Sequence, residues 1–285
     1  LILDSKKRAY HAPIEEDIDN LLQCINIYQK HVLGIPSVEQ GDVALAAEWG
    51  RALGKDGFVR LPDISADKCQ QMYDFLSQQT VYKNSTARTD GSLVHRDEAR
   101  ANTHVGIIDN DAVINCPHFL DHVLSADVLS VVEKEIGAVP TLQSLTAWWS
   151  FAGRGSPTDA QNFHMDIDDF RFVKLFIYLT DVDMEAGPHT YVPGSHDKEL
   201  IAGILNTKRK EFPEIIDWYK GQLRKTDAEV EKYIGIPPVH FEGKAGSCFL
   251  VNTVGIHKGL LPKSKDRLLL QATFGCTPAL TEVPN

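Results

Sequence analysis

The chain of 285 residues carries 39 acidic against 29 basic residues, a net charge of −10, with 43% apolar and 24% charged side chains. That apolar content supplies a sizeable core and excludes disorder; the acidic balance, with no basic run longer than Lys208-Arg209-Lys210, excludes a nucleic-acid partner. No apolar window approaches the ~18 residues of a membrane helix, and the opening LILDSKKRAY lacks the apolar stretch of a signal peptide, so a cytoplasmic protein without a membrane partner is expected.

At ~150 residues per domain the length allows two domains, but barrels often use ~200–250 residues as one unit. One elaborated domain over 1–285 is expected. Five cysteines, odd in number and never arranged as C-x-x-C, argue against a disulfide framework and a thiolate zinc site.

The first part of the chain, 1–137, reads as mostly helical. IEEDIDNLLQCINIYQKHVL, VALAAEWGRALGKDG, SADKCQQMYDFLSQQ and FLDHVLSADVLSVVEKEIG place apolar residues at three- and four-residue spacing. Gly57, and Ser65 with Lys68, mark helix boundaries, and GFVRLP between them predicts a short strand. From 138 to 277 the texture changes to short apolar runs separated by turns: TLQSLTAWWSF, RFVKLFIYLTDV, TYVPG, PVHFEG, SCFLVN and RLLLQATFG. Strands at this spacing predict an antiparallel barrel or jelly roll. A charged, helix-prone insertion at 197–234 interrupts them and reads equally well as a lid or a solvated excursion.

Chemistry concentrates in NFHMDIDDF. In a strand, His164 and Asp166 fall on one face and can converge on one ion. His95 with Asp97 has the same spacing, but in the polar stretch TDGSLVHRDEARAN, which predicts a surface position. His240 with Glu242 opens a strand and competes directly. Downstream of His164 come EAGPH, VPGSH and a lone histidine, His257, with Arg267 ten positions on. Two histidines and one carboxylate leave coordination positions open, as in non-haem Fe(II) oxygenases, and an arginine supplies a planar fork for a carboxylate. His189 and His196 are expected to hold the GPH…GSH turn by hydrogen bonds, and Trp148 and Trp149 to face opposite sides of a strand.

The blocks KDGFVRLPDISADK, HMDIDDF, IYLTDVDMEAGPHTYVPGSH and GIHKGLLPKSKDRLLL resemble those of the phytanoyl-CoA dioxygenase-like branch of the Fe(II)- and 2-oxoglutarate-dependent oxygenases, over roughly residues 50 to 277. The resemblance implies a mainly β fold, a double-stranded β-helix of the jelly-roll, cupin-like kind, with flanking helices. It implies His164, Asp166 and His257 as iron ligands, Arg267 as the partner of the distal 2-oxoglutarate carboxylate, and Gln143 as a second contact to that cosubstrate. Two departures stand out: IDDFRFVK is unusually charged, and the region before residue 50 has no counterpart.

Lys174 and Phe176 share one strand face with Tyr178 and are expected near the cofactor. A lysine there could meet 2-oxoglutarate, an anionic substrate or a structural acid. Asp168, Asp169 and Arg171 would lie at the mouth, where substrate contact and a solvated rim are equally open. The implied reaction is hydroxylation of a substrate C–H bond with O2, coupled to decarboxylation of 2-oxoglutarate to succinate and CO2; Asp166, in place of a small residue that would admit halide, favours hydroxylation over halogenation. Two alternatives stay open, a cupin-like metal-dependent isomerase or hydrolase, which has no need of Arg267, and a non-catalytic metal-binding barrel. The small-molecule substrate and the oligomeric state are not legible.

Overall fold

Helix α1 (Glu15–His31) precedes α2 (Val43–Asp56), whose start is capped by Asp42, the side chain accepting from the amides of Ala44 and Leu45. Gly57, at φ +83°, ends α2 and turns the chain into β1 (Phe58–Leu61); a Cβ there would collide with the Tyr191 hydroxyl. The computed structural model describes residues 15–39, 41–83 and 92–277.

Helix α3 (Ala66–Ser77) is followed by β2 (Val81–Tyr82), β3 (Leu93–Val94), α4 (Arg96–Asn102), β4 (Val105–Ile108) and α5 (Asn110–Ile114). The single helix expected over 119–137 is two, α6 (Phe119–Val123) and α7 (Ala126–Ile136), with Ser125 at the N-cap of the second and Gly137, at φ +83°, ending it. The helical texture of this half also concealed β2, β3 and β4. They are too short to show a period of two.

Every strand expected beyond 138 is present, β5 (Thr141–Ser150), β6 (Phe172–Tyr178), β7 (His189–Tyr191), β8 (Val239–His240), β9 (Cys248–Val251) and β11 (Arg267–Gly275), and the sequence reading missed one more, β10 (His257–Gly259). Eight strands pair antiparallel in the order β1-β9-β6-β11-β5-β4-β2-β3, and a second sheet has the order β10-β7-β8. The period of two divides the large sheet's side chains. Leu268, Leu270, Ala272 and Phe274 of β11 join the core with Leu53 of α2, Met72 of α3 and Val131 of α7. Leu269, Phe176, Tyr178 and Phe249 point the other way and meet Tyr191 and Phe241 from the smaller sheet's side. This is the jelly-roll core with flanking helices that the sequence predicts. Trp149 and Trp148 divide the same way, Trp149 with the helices and Trp148 toward the interior. None of the described helices is long and apolar enough to cross a membrane, and the five cysteines are free thiols.

The insertion forms α8 (Lys198–Lys208), α9 (Ile215–Gly221) and α10 (Asp227–Tyr233), and it is no solvated excursion. Ile201, Ile215, Trp218 and Val230 pack on Phe163, Val192 and Ile256 of the barrel. Lys258 Nζ reaches Asp227 at 2.5 Å and lies 4.5 Å over the Phe163 ring. Lys225 is buried with its ammonium 5.0 Å over Trp218; burial pushes its pKa down to about 8.

Trp218→Ala removes the largest side chain of this satellite core, a loss of about 3–5 kcal/mol, and should make the segment 197–234 cleavable by trypsin while far-UV circular dichroism of the barrel persists. Equal cleavage rates in variant and wild type would show that the helices are held some other way.

Candidate functional site

The backbone builds the site first. His164 and His257 donate to each other's carbonyls, both at 2.9 Å, in an isolated antiparallel bridge, which fixes the rings 4.2 Å apart between centroids. Asp166 is held by its amide, which donates to the Thr253 carbonyl at 2.9 Å. Each histidine turns Nδ1 onto a main-chain carbonyl, that of Asn162 or Gly255, at 2.9 Å. A carbonyl only accepts, so Nδ1 carries the proton and Nε2 keeps its lone pair. Both Nε2 atoms face Asp166, His164 at 3.6 Å from Oδ1 and His257 at 3.4 Å from Oδ2. The three ligand atoms lie within 4.8 Å of one another, the one such group found among the described residues.

Burial, with the neighbouring His257, pushes the His164 pKa down to about 3, so the ring is neutral and ready to ligate. Burial alone would raise the Asp166 carboxyl, but His257, Lys174 and His164 outweigh it and hold Asp166 well below the usual carboxylate range. A neutral His164 imidazole beside a second histidine and an ionised carboxylate suits a borderline divalent metal.

Lys174 accounts for much of that. Its ammonium donates to Asp166 Oδ2 at 2.7 Å and pairs with Asp168 Oδ2 at 2.7 Å, so of the three partners the sequence left open it meets acids of the chain itself. Two carboxylates flank one ammonium and leave Asp166 Oδ1 as the less committed oxygen.

Arg267 sits deeper, only 3% exposed. Its Nη1 donates to the Gly187 carbonyl and Nη2 to Ser150 Oγ at 3.2 Å, while Nε finds no partner. Gly187 serves this contact: it adopts φ +70°, and a Cβ there would strike the Leu260 carbonyl, which explains the glycine of EAGPH. Among the described residues no carboxylate pairs with Arg267; Tyr178 is the compensating neighbour, and burial pulls the guanidinium pKa down. A buried cation without an anion is costly unless a ligand supplies the charge.

The other expectations divide. Phe176 is buried in the interior, 4.8 Å from the His189 ring. His189 does not hold a turn; it lies in the interior against His257, ring centroids 5.4 Å apart, with Nε2 buried and unpartnered. His196 does bridge, from Nε2 to the Gly54 carbonyl at 3.2 Å. Gln143 does not approach Arg267. It is the extra residue of a bulge opposite Thr273 and Phe274, about 23 Å along β11 from Arg267 at ~3.3 Å per residue, and it donates to Asp169 Oδ2 and the Thr277 carbonyl, each at 2.7 Å.

Asp169 is correspondingly structural, also accepting from the Thr277 amide at 2.8 Å. Arg171 pairs with Asp19 of α1 at 2.5 Å, and only Asp168 remains half-exposed near the metal group. The rival His240 bonds to Thr190 Oγ1 at 2.9 Å, and His95 caps α4. Sequence reasoning missed Ser150 and His189 as site residues. Ser150 was legible: it shares a face with Trp148 by alternation and pairs with Arg267 across the ladder.

Asp166→Ala should fold, because Lys174 keeps Asp168 as its partner, yet bind no metal. Asp168→Ala and Asp169→Ala should both retain metal. Metal content by atomic absorption after Fe(II) loading and desalting distinguishes them, and a full complement in Asp166→Ala would show that the group is not the metal centre.

Comparison with known proteins places this geometry in a family. The profile described as Phytanoyl-CoA dioxygenase (PhyH) matches residues 53–267. Among solved structures, the epimerase SnoN in complex with Fe3+, alpha ketoglutarate and nogalamycin RO shares 18% identity and a TM-score of 0.52, over 82% of this chain and 84% of that one. The alpha ketoglutarate dependent carbocyclase SnoK from nogalamycin biosynthesis gives 18% and 0.52, over 80% and 83%. HygX from Streptomyces hygroscopicus with nickel and 2-oxoglutarate bound gives 16% and 0.51, over 82% and 87%. At these identities they establish a shared fold. No curated protein matches by sequence. The matched span covers most of the chain and contains His164, Asp166, His257 and Arg267: the chain belongs to the phytanoyl-CoA dioxygenase family.

Proposed function

We propose that this protein is an Fe(II)- and 2-oxoglutarate-dependent dioxygenase that hydroxylates a C–H bond of a small molecule. The observation that carries the proposal is the buried guanidinium of Arg267, without a carboxylate partner and with Nε unpartnered, on the same barrel interior as the His164, Asp166 and His257 group. His189 Nε2 and Thr146 Oγ1 are further buried polar atoms without partners. Orphaned groups of this kind point to a polar ligand that completes them. A dicarboxylate with one end on the metal and the other on Arg267 fits that need.

His164 Nε2, Asp166 and His257 Nε2 would hold the iron, and Arg267 with Ser150 would hold the distal carboxylate. Bound there, iron and cosubstrate supply the oxidation of the substrate C–H bond with O2, coupled to conversion of 2-oxoglutarate to succinate and CO2. The chain itself orients and shields. Gly187 and Ser150 aim the guanidinium, the Nδ1 contacts to Asn162 and Gly255 fix the imidazole lone pairs, and Phe176, Tyr178 and Phe249 exclude water from the interior. Lys174 neutralises the outer side of Asp166, so the carboxylate offers the metal one oxygen and leaves open positions. Epimerisation by SnoN and ring closure by SnoK are reactions of those proteins; here a carboxylate as the third ligand favours hydroxylation over halogenation, and the match to a profile described as a dioxygenase supports it over the other two.

Anaerobic titration with Fe(II) and 2-oxoglutarate should produce a weak visible charge-transfer band, and admission of O2 should release succinate. An isomerase, hydrolase or inert barrel gives neither. Arg267→Ala should keep the iron while weakening 2-oxoglutarate binding by about 2–5 kcal/mol, roughly 30-fold to several thousand-fold. Unchanged 2-oxoglutarate affinity in that variant would remove Arg267 from the cosubstrate site.

A further inference from the structure

The insertion touches the metal side of the barrel through one backbone pairing. Phe163 donates to the Lys225 carbonyl at 3.0 Å and Lys225 to the Phe163 carbonyl at 2.7 Å, a closed antiparallel bridge one residue before His164. Carried one residue past this isolated bridge, the register puts Arg224, in the bend before Lys225, across from His164. Burial agrees. Phe163 and Lys225 turn inward, Phe163 into the satellite core and Lys225 over its Trp218, while His164 turns to Asp166 and His257. The positive charge of Arg224 is felt at His164.

Arg224 is exposed and, among the described residues, has no acidic partner. The other charged groups around the mouth are committed: Asp168 to Lys174, Asp169 to Gln143 and Thr277, Arg171 to Asp19, and Lys258 to Asp227. Resting on the function proposed above, the inner site is balanced too. Asp166 and Asp168 cancel Lys174 and Arg267, as a divalent ion cancels a dianionic cosubstrate. Among the described residues around the mouth, Arg224 is the exposed cation that no acid answers. The loop after the ligand Asp166 exposes Ile167 and Phe170, at 52% and 43%.

We propose that Arg224 is the recognition residue for the primary substrate, which is an organic anion bearing a carboxylate or phosphate and an apolar part. The helical insertion is then the specificity element: it carries the guanidinium to the ligand His164 through the Phe163–Lys225 bridge, and the apolar surface of Ile167 and Phe170 receives the remainder of the molecule. A planar guanidinium suits both anions, because either offers two oxygens to its fork.

The test uses full-length protein loaded with Ni(II) and 2-oxoglutarate, titrated calorimetrically with hexanoate, hexyl phosphate and the neutral hexanamide. Wild type should bind at least one anion roughly ten- to hundredfold more tightly than the amide, the scale of a charge-assisted hydrogen bond. Arg224→Gln should erase that preference, Arg224→Lys should keep part of it, and nickel content and 2-oxoglutarate affinity should be unchanged in both. The stronger of the two anions identifies the group recognised. Equal binding of anions and amide by wild type, or an anion preference that survives in Arg224→Gln, overturns the inference. Failure of wild type to bind 2-oxoglutarate would instead remove the oxygenase function, and the same three probes titrated into metal-free protein would then decide the role of Arg224 alone.

Discussion

A guanidinium buried to 3% exposure without a carboxylate beside it is the constraint on which the rest of this site depends. The fold tolerates it because the strand ladder brings Ser150 opposite Arg267 and because Gly187, in a left-handed turn, aims its carbonyl inward. Those contacts satisfy hydrogen bonds and leave the charge unanswered. The anion that answers it must come from outside, and the aromatic walls of the interior raise the strength of that interaction by keeping water away.

At the metal end the opposite imbalance is arranged. Asp166 and Asp168 set two carboxylates against the single ammonium of Lys174, and Asp166 also groups with His164 and His257, so a cation is favoured at those three ligand atoms. In the proposed reading one end of this interior takes a metal and the other a carboxylate. The reciprocal bonds between His164 and His257 tie this chemistry to the small sheet's continuation, and the same bridge network extends through Phe163 to the insertion. The proposed recognition residue Arg224 and the candidate metal ligand His164 are therefore neighbours across one backbone bridge.

Much of this was legible in the sequence, for definite reasons. His257 and Arg267 start β10 and β11, where a period of two fixes the face; His164 sits in an isolated bridge with Asp166 in the loop just after it, and their short spacing fixes them as neighbours. Gln143 was misplaced because the bulge at Thr273 and Phe274 breaks that period without leaving a glycine or proline to mark it. Lys174 was recognised as needing an acid, but local alternation could not say that the acid is the ligand Asp166 itself. His189 read as a turn residue because GPH precedes its strand. Arg224 was invisible: its position opposite His164 depends on how an insertion docks, a tertiary register that no local pattern encodes.

The central claim is that one cavity holds a metal at His164, Asp166 and His257 and a dicarboxylate between that metal and Arg267. Anomalous diffraction at the iron edge from crystals grown anaerobically with Fe(II) and 2-oxoglutarate tests it most directly. The account predicts a single strong peak in contact with those three side chains and cosubstrate density ending on Arg267 and Ser150. Iron bound elsewhere, or 2-oxoglutarate density that leaves Arg267 without an anion, would contradict it.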